Sequence, residues 1–313
     1  MSYSNQKEWE EIQSFLPKEF QLTEDTLPYE EYWEWKGHQI HLDTYRNGVA
    51  KVKIILLHGV GTNGRQMSTI IGHPLAMDGY EVIAIDMPIY GETAVKKGFV
   101  VTYDDWINLG DDYINEELSK DNRPIFLYGL SAGGMETYHI ACKNKKVAGI
   151  IGMTFLDQRE KIVRDTTTRN AFWAKFGVPL AKLSCSVGLS AFQMKMSICS
   201  KMNTLCNDKK ALRAMLKDKT SAGNKVNMRF LVDYMTYVPE IEPEQFDICP
   251  IILTQPECDR WTPQFLSELF LSKIEKVPVT KVVLKKGSHY PIGKDALDDL
   301  HRSISEFIAR VLY

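Results

Sequence analysis

Short apolar runs alternate with amphipathic stretches along most of the chain. The apolar runs have the length and composition of strands that are buried on both faces of a parallel sheet. Strands are predicted at 53–58, 81–86, 124–129, 147–155, 250–254 and 280–284. Helices are predicted at 64–78, 102–118, 132–143 and 297–311. This alternation is typical of an α/β domain with a mostly parallel sheet.

The N-terminal part of the chain has a different pattern. Residues 1–28 predict an amphipathic helix, with Trp9 and Ile12 on its apolar face, followed by a linker. The polar face is acidic, so we expect the helix to pack on the domain and not on a membrane. Residues 30–46 predict a hairpin that turns at Lys36-Gly37.

The alternation stops between residues 158 and 245, where no strand is predicted and apolar residues recur at helical spacing. A connection of this length requires structure of its own. The sequence therefore predicts an α/β core formed by residues 29–157 and 246–313, interrupted by a helical cap at 158–245. Residues 1–28 form a separate N-terminal helix and linker in this prediction.

Composition excludes several classes of protein. The net charge is −2, so the overall balance does not indicate binding to nucleic acid or to an anionic membrane. The apolar runs are too short to span a bilayer, and the N-terminus does not resemble a secretory signal. The six cysteines form no C-x-x-C pair, which favours reduced thiols and a cytoplasmic location. The histidines form no metal-binding motif, so neither a metal nor a cofactor is expected.

The most informative motif is Gly129-Leu130-Ser131-Ala132-Gly133, which lies between a predicted strand and a predicted helix. In that position G-x-S-x-G is typical of a nucleophile elbow, a tight turn that lifts the serine hydroxyl out of the sheet. The serine also lies at a helix N-terminus, which favours negative charge. The alternative is a glycine-rich turn that contains a serine by chance.

A serine nucleophile needs a base, and the base needs an acid that orients it. His289 follows the last predicted strand and Asp259 follows the strand before it. Taken separately, His289 is compatible with a turn residue and Asp259 with a helix N-cap. The order Ser131, Asp259, His289, each after a strand, favours a catalytic triad.

The turn after the first predicted parallel strand contains His58-Gly59-Val60-Gly61. The backbone N–H groups of Val60 and Ala132 are candidates for an oxyanion hole, because glycines allow the main chain to approach a substrate. The alternative is a simple turn, and we expect His58 to bond the loop rather than take part in catalysis.

These motifs together resemble the α/β-hydrolase superfamily with a helical cap. The resemblance covers residues 30–313, and it includes the runs Asp86–Thr93, Asp259–Pro263 and Gly287–Pro291. It implies an eight-stranded, mostly parallel sheet with an antiparallel second strand, and a cap inserted after strand 6. Where the family usually has a glycine before the acid, this chain has Pro256-Glu257-Cys258, which makes Glu257 a competing acid.

The resemblance implies hydrolysis of a carboxylic ester or lactone through an acyl-enzyme, without a cofactor. Six of the twelve methionines lie in the predicted cap, which favours an apolar acyl chain, although they are equally compatible with the core of the cap itself. An N-acyl-homoserine lactone fits these features. A carboxylesterase, a monoacylglycerol lipase and a non-catalytic receptor remain alternatives. The predicted pocket residues are Tyr90, Met153, Phe155 and Leu156. The expected partner is a small-molecule ester or lactone, with no nucleic acid and no stable membrane insertion, and a homodimer is left open.

Overall fold

The computed structural model describes residues 2–313, which form an eight-stranded sheet and the helices around it. The sheet strands are β1 (Tyr29–Trp35), β2 (His38–Tyr45), β3 (Lys53–Leu57), β4 (Glu81–Ile85), β5 (Ile125–Gly129), β6 (Gly149–Gly152), β9 (Ile251–Pro256) and β10 (Val279–Leu284). Two further short strands, β7 (Gln193–Lys195) and β8 (Lys225–Asn227), lie outside this sheet.

The strand order in the sheet is β1-β2-β4-β3-β5-β6-β9-β10. β2 runs antiparallel to both of its neighbours, and the strands from β4 to β10 pair in parallel. Every residue of β3, β4 and β5 is buried, as expected for strands covered on both faces. The predicted eight-stranded α/β-hydrolase sheet with an antiparallel second strand is confirmed.

Helices connect the strands and cover the sheet. They are α1 (Glu8–Gln13), α2 (Gly64–Met67), α3 (His73–Met77), α4 (Tyr103–Lys120), α5 (Ala132–Asn144), α6 (Lys161–Thr167), α7 (Ala171–Ser186), α8 (Met196–Cys199), α9 (Lys209–Lys217), α10 (Met228–Thr236), α11 (Gln264–Leu271) and α12 (Lys294–Leu312). The helix predicted at 64–78 is divided, because a π-helical turn at Ser68–Gly72 separates α2 from α3. None of the helices in residues 2–313 has the length and apolar character needed to cross a bilayer.

Between β6 and β9 the chain is mainly helical, with α6 to α10 in succession. The expectation of no strand in this segment was wrong, since β7 and β8 form a small antiparallel ladder of three residue pairs. Three-residue strands are too short to produce a recognisable alternation in the sequence.

The N-terminal segment is tied to the sheet by a buried polar contact. Tyr3 is fully buried, and its hydroxyl lies 3.0 Å from each carboxylate oxygen of Asp86. Asp86 also accepts hydrogen bonds from the backbone N–H groups of Gly64 and Glu92. Ile12, Leu16 and Phe20 belong to the main apolar core. The first helix therefore packs on the domain, as its acidic polar face predicted.

Candidate active site

Ser131 occupies a sharp turn between β5 and α5. Its backbone angles are φ 56° and ψ −120°, a combination that L-residues rarely adopt. Strain of this kind persists only where the surrounding structure enforces it, and it is common at functional sites. The turn places Ser131 at the N-terminal end of α5, on the wall of a cavity.

Glycines around the turn are required by close packing. A Cβ added to Gly129 would lie 2.0 Å from the carbonyl oxygen of Gly133, and one added to Gly134 would lie 2.0 Å from that of Thr154. A Cβ on Gly59 would lie 2.7 Å from Cβ of Ser131. The loop after β3 therefore touches the serine turn directly.

A buried carboxylate holds the candidate base. The Nδ1 atom of His289 lies 2.8 Å from Oδ2 of Asp259, and both side chains are almost completely buried. Asp259 also accepts hydrogen bonds from the Thr262 hydroxyl at 2.6 Å and from the backbone N–H of Thr262 at 2.9 Å. These contacts orient the imidazole so that Nδ1 carries the proton. Nε2 is buried and has no hydrogen-bond partner within residues 2–313.

The surroundings of Asp259 favour its ionised form. Burial by itself would raise the pKa of this carboxyl, but the charge of His289 and the hydrogen bonds from His289 and Thr262 outweigh burial and lower the pKa. Glu257 is different, since it is exposed and accepts a hydrogen bond from the backbone N–H of Lys286 at 2.8 Å. The structure thus brings Asp259, and not Glu257, to His289.

The two candidate oxyanion donors lie on the same cavity wall as Ser131. Neither the Val60 N–H nor the Ala132 N–H donates to another residue among 2–313. His58 holds the loop that carries Val60: its Nε2 accepts from the Met87 N–H at 3.0 Å, and its Nδ1 lies 2.9 Å from the Gly59 carbonyl. Burial lowers the pKa of His58, so the ring is neutral and supports the loop.

The cavity beside Ser131 has a volume of about 270 Å³ and a mostly apolar wall. Much of the wall comes from α7, with further side chains from β7, α8 and α10. Four of the six methionines of segment 158–245 line it: Met194, Met196, Met228 and Met235. No charged side chain is found on this wall among the described residues.

Only one of the four predicted pocket residues, Leu156, lines this cavity. The other three are not among the residues that line it. Tyr90 packs its ring against His58 and Trp106, and Phe155 packs against Phe270. Met153 is buried directly after β6. Side chains near the carboxyl end of a sheet can turn into the core, and the sequence does not show which way they turn.

The sequence reasoning missed several wall residues. The Trp261 ring lies 4.8 Å from that of His289 and is tilted by 39°, and Thr262 bridges Asp259 and His289. Both lie in the Asp259–Pro263 run, and this motif is the feature of the sequence that could have identified them. Gln158 and Tyr234 also line the cavity, and no motif marked them. Among residues 2–313, no group of His, Cys, Asp or Glu side chains is placed to hold a metal ion.

The sequence also matches a known family. The model of the family described as serine aminopeptidase, S33, matches residues 48–294, well over half of the chain. The chain belongs to this family of α/β-hydrolases. No curated protein matches the sequence of this hydrolase.

Solved structures share the fold of this hydrolase at low sequence identity. A soluble variant of monoglyceride lipase from Saccharomyces cerevisiae is 18% identical, with a TM-score of 0.74 over 95% of this chain and 98% of that one. The monoacylglycerol lipase of Paleococcus ferrophilus is 19% identical, with a TM-score of 0.65 over 86% and 99%. Carboxylesterase CesB from Bacillus subtilis is 13% identical, with a TM-score of 0.61 over 96% of each chain. These likenesses support the fold.

Proposed function

We propose that this α/β-hydrolase cleaves carboxylic esters with an apolar acyl chain, through an acyl-enzyme on Ser131. The proposal rests on one observation above all. Asp259 fixes His289 with a free, buried Nε2 atom, and the strained Ser131 turn opens on an apolar cavity. An activated serine nucleophile requires a base that is oriented in this way by a carboxylate.

In the proposed reaction, Oγ of Ser131 attacks the carbonyl carbon of the ester while its proton moves to Nε2 of His289. The negative charge that develops on the carbonyl oxygen is stabilised by the N–H groups of Val60 and Ala132. The tetrahedral intermediate collapses, the C–O bond breaks, and His289 gives its proton to the leaving alcohol. Water activated by His289 then hydrolyses the acyl-enzyme and restores Ser131. Asp259 stays ionised throughout and stabilises the imidazolium.

The cavity wall is better suited to the acyl chain of an ester than to the free N-terminus of a peptide. A free α-amino group is a cation, and its burial needs a carboxylate partner. The wall formed by the described residues carries no charged side chain, and four methionine side chains contribute flexible apolar surface. An acyl chain fits such a wall. A lactone with an acyl chain has the same reacting group, an ester carbonyl. Lactones are therefore included among the test substrates.

The experiment measures hydrolysis of p-nitrophenyl esters of increasing chain length, N-acyl-homoserine lactones and monoacylglycerols by the wild type and by Ser131→Ala. We expect ester turnover that rises with chain length, and a loss of about four orders of magnitude or more in Ser131→Ala. Circular dichroism should show that this variant is folded. Near wild-type turnover in Ser131→Ala would contradict the mechanism. Tight binding without turnover would favour the receptor alternative.

A further inference from the structure

Gln158 carries a polar atom that the protein leaves unsatisfied at the cavity. Its side chain lines the cavity but is only 8% exposed. Nε2 donates to the Tyr234 hydroxyl at 3.3 Å, and Oε1 is buried without a hydrogen-bond partner in residues 2–313. Leaving a buried acceptor unpaired is costly, so such an atom in a binding cavity indicates a ligand that donates to it.

Most hydroxyl groups of the wall already have a hydrogen-bond partner. Four of them already donate to a main-chain carbonyl four residues earlier: Thr167, Thr168, Ser184 and Ser200. Thr262 is engaged with Asp259. The Gln158 amide therefore stands out on this wall, because its buried acceptor oxygen has no partner.

The main chain around Gln158 is fixed in place. The Arg164 guanidinium donates to the Gln158 carbonyl at 2.6 Å. The neighbouring Arg159 pairs with both Asp157 and Glu242. This anchoring keeps the amide at the cavity wall, as a binding group requires.

We infer that Gln158 selects substrates that carry a hydrogen-bond donor, either a hydroxyl on the alcohol part or an amide N–H on the acyl part. This inference rests on the proposed ester hydrolysis and narrows its substrate class. Simple alkyl esters lack the donor and leave Oε1 unpaired, so they are poorer substrates at equal chain length.

The test compares three decanoyl substrates in the wild type and in Gln158→Leu: a monoglyceride with hydroxyl donors, a homoserine lactone with an amide donor, and a methyl ester with neither. We expect Gln158→Leu to lower kcat/KM by about tenfold for the donor-bearing substrate and by less than about twofold for the methyl ester. The substrate that loses activity identifies the donor. Thr236→Val, which removes an already engaged hydroxyl outside the cavity wall, should keep the wild-type ratio between substrates.

An equal effect of Gln158→Leu on all three substrates, or no effect on any, would overturn the inference. A failure of the proposed function looks different, because the wild type would then turn over none of them. In that case equilibrium binding of the same compounds to Ser131→Ala, with and without Gln158→Leu, decides the role of Gln158. A tenfold weaker Kd for a donor-bearing compound alone supports it, and equal Kd values overturn it.

Helix α7 is apolar on two sides. One side faces the cavity through Trp173, Val178 and Ala181. The other presents large apolar side chains to solvent, spaced as one stripe of a helix and continued just beyond its end. They are Phe172, Phe176, Leu183 and Val187, together with Leu180, which also borders the cavity; each is at least 42% exposed. A helix that is apolar all round needs a cover, and an exposed stripe of this length marks a docking surface.

The stretch of chain that carries this stripe has charges of one sign. Residues 166–207 contain five basic residues and no aspartate or glutamate, although the whole chain has a net charge of −2. Lys175, Lys182 and Lys195 are exposed. A second copy of the chain would place these cations against each other across a symmetric interface. An anionic lipid surface complements both the apolar stripe and the cations.

We propose that the exposed face of α7 docks on an anionic lipid surface. The proposal is independent of the catalytic one, so it is tested with Ser131→Ala by sedimentation with phosphatidylcholine vesicles, with or without phosphatidylglycerol. We expect binding that needs phosphatidylglycerol, weakens in high salt, and falls at least about tenfold in a Phe176→Ser, Leu183→Ser double variant. Val49→Ser removes an apolar side chain that is 91% exposed outside this face, and it should bind as before.

Two results would overturn the docking proposal. One is equal sedimentation of the double variant and of Val49→Ser. The other is the absence of vesicle binding together with concentration-dependent self-association that the double variant abolishes. The second result would assign the face to contact between copies.

Discussion

At the scale of single residues, two carboxylates only two positions apart have different environments. Asp259 is buried and shares its oxygens between His289 and Thr262. Glu257 is exposed and caps a main-chain N–H. Because the strand ends at Pro256, the chain turns between the two residues, and only the second can face the histidine.

Asp259→Asn should therefore lower kcat by about four orders of magnitude, because an amide that donates to Nδ1 would favour the wrong tautomer of His289. Glu257→Gln should change kcat by less than about twofold, since it affects an exposed hydrogen bond. Steady-state kinetics on one ester measures both. The reverse ranking would assign the acid to Glu257.

At the scale of elements, the site depends on how closely β3, β5 and α5 approach one another. A Cβ on Gly133 would lie 2.5 Å from the carbonyl oxygen of Leu57 in β3. The turn that carries Ser131 and the loop that carries Val60 are thus packed backbone to backbone. Only small residues at these positions allow the two candidate oxyanion donors to lie close together.

Gly134→Ala tests this packing, because its new Cβ would lie 2.0 Å from the carbonyl oxygen of Thr154. The main chain has to move, so we expect a loss of about 3 kcal/mol in unfolding free energy, together with reduced ester turnover. Gly48→Ala is the matched control, since a Cβ there meets nothing within 4 Å. Urea unfolding curves of the two variants give the comparison, and equal stability would contradict the packing argument.

At the scale of the whole molecule, a buried polar network joins the N-terminal segment to the sheet. His41 lies between Glu30, with Nε2 2.9 Å from its carboxylate, and Asp86, with Nδ1 2.8 Å from its carboxylate. Arg65 forms a buried ion pair with Asp43 and stacks on Tyr3. Burial would lower the pKa of His41, but Asp86 and Glu30 outweigh burial and raise it to about 10.

This network predicts a pH dependence of stability. The pKa of His41 is about 10 in the folded state against an ordinary value of 6.5. The stabilisation is therefore complete below pH 6.5 and is lost as the pH rises toward 10. We expect the loss to reach about 5 kcal/mol, and His41→Asn should remove this part of the pH dependence. Urea unfolding between neutral and alkaline pH measures it, and parallel curves for wild type and variant would contradict the assignment.

Local patterns in the sequence were sufficient to predict most of the strands and helices of the core, whereas the eight-stranded sheet was implied by the family resemblance. Strand and helix periodicity is a property of residues close together in the sequence, and so is the glycine pattern of the serine turn. For this reason the elements and the order Ser131, Asp259, His289 could be predicted. The antiparallel second strand came from the family resemblance, and the structure has it.

Properties that depend on distant parts of the chain were decided only by the tertiary structure. Tyr90 and Phe155 turn into the core, Gln158 turns to the cavity, and Phe176 is left in solvent. Each of these positions depends on contacts between residues that are far apart in the sequence. Local periodicity carries no information about such contacts, because they are set by how the elements pack.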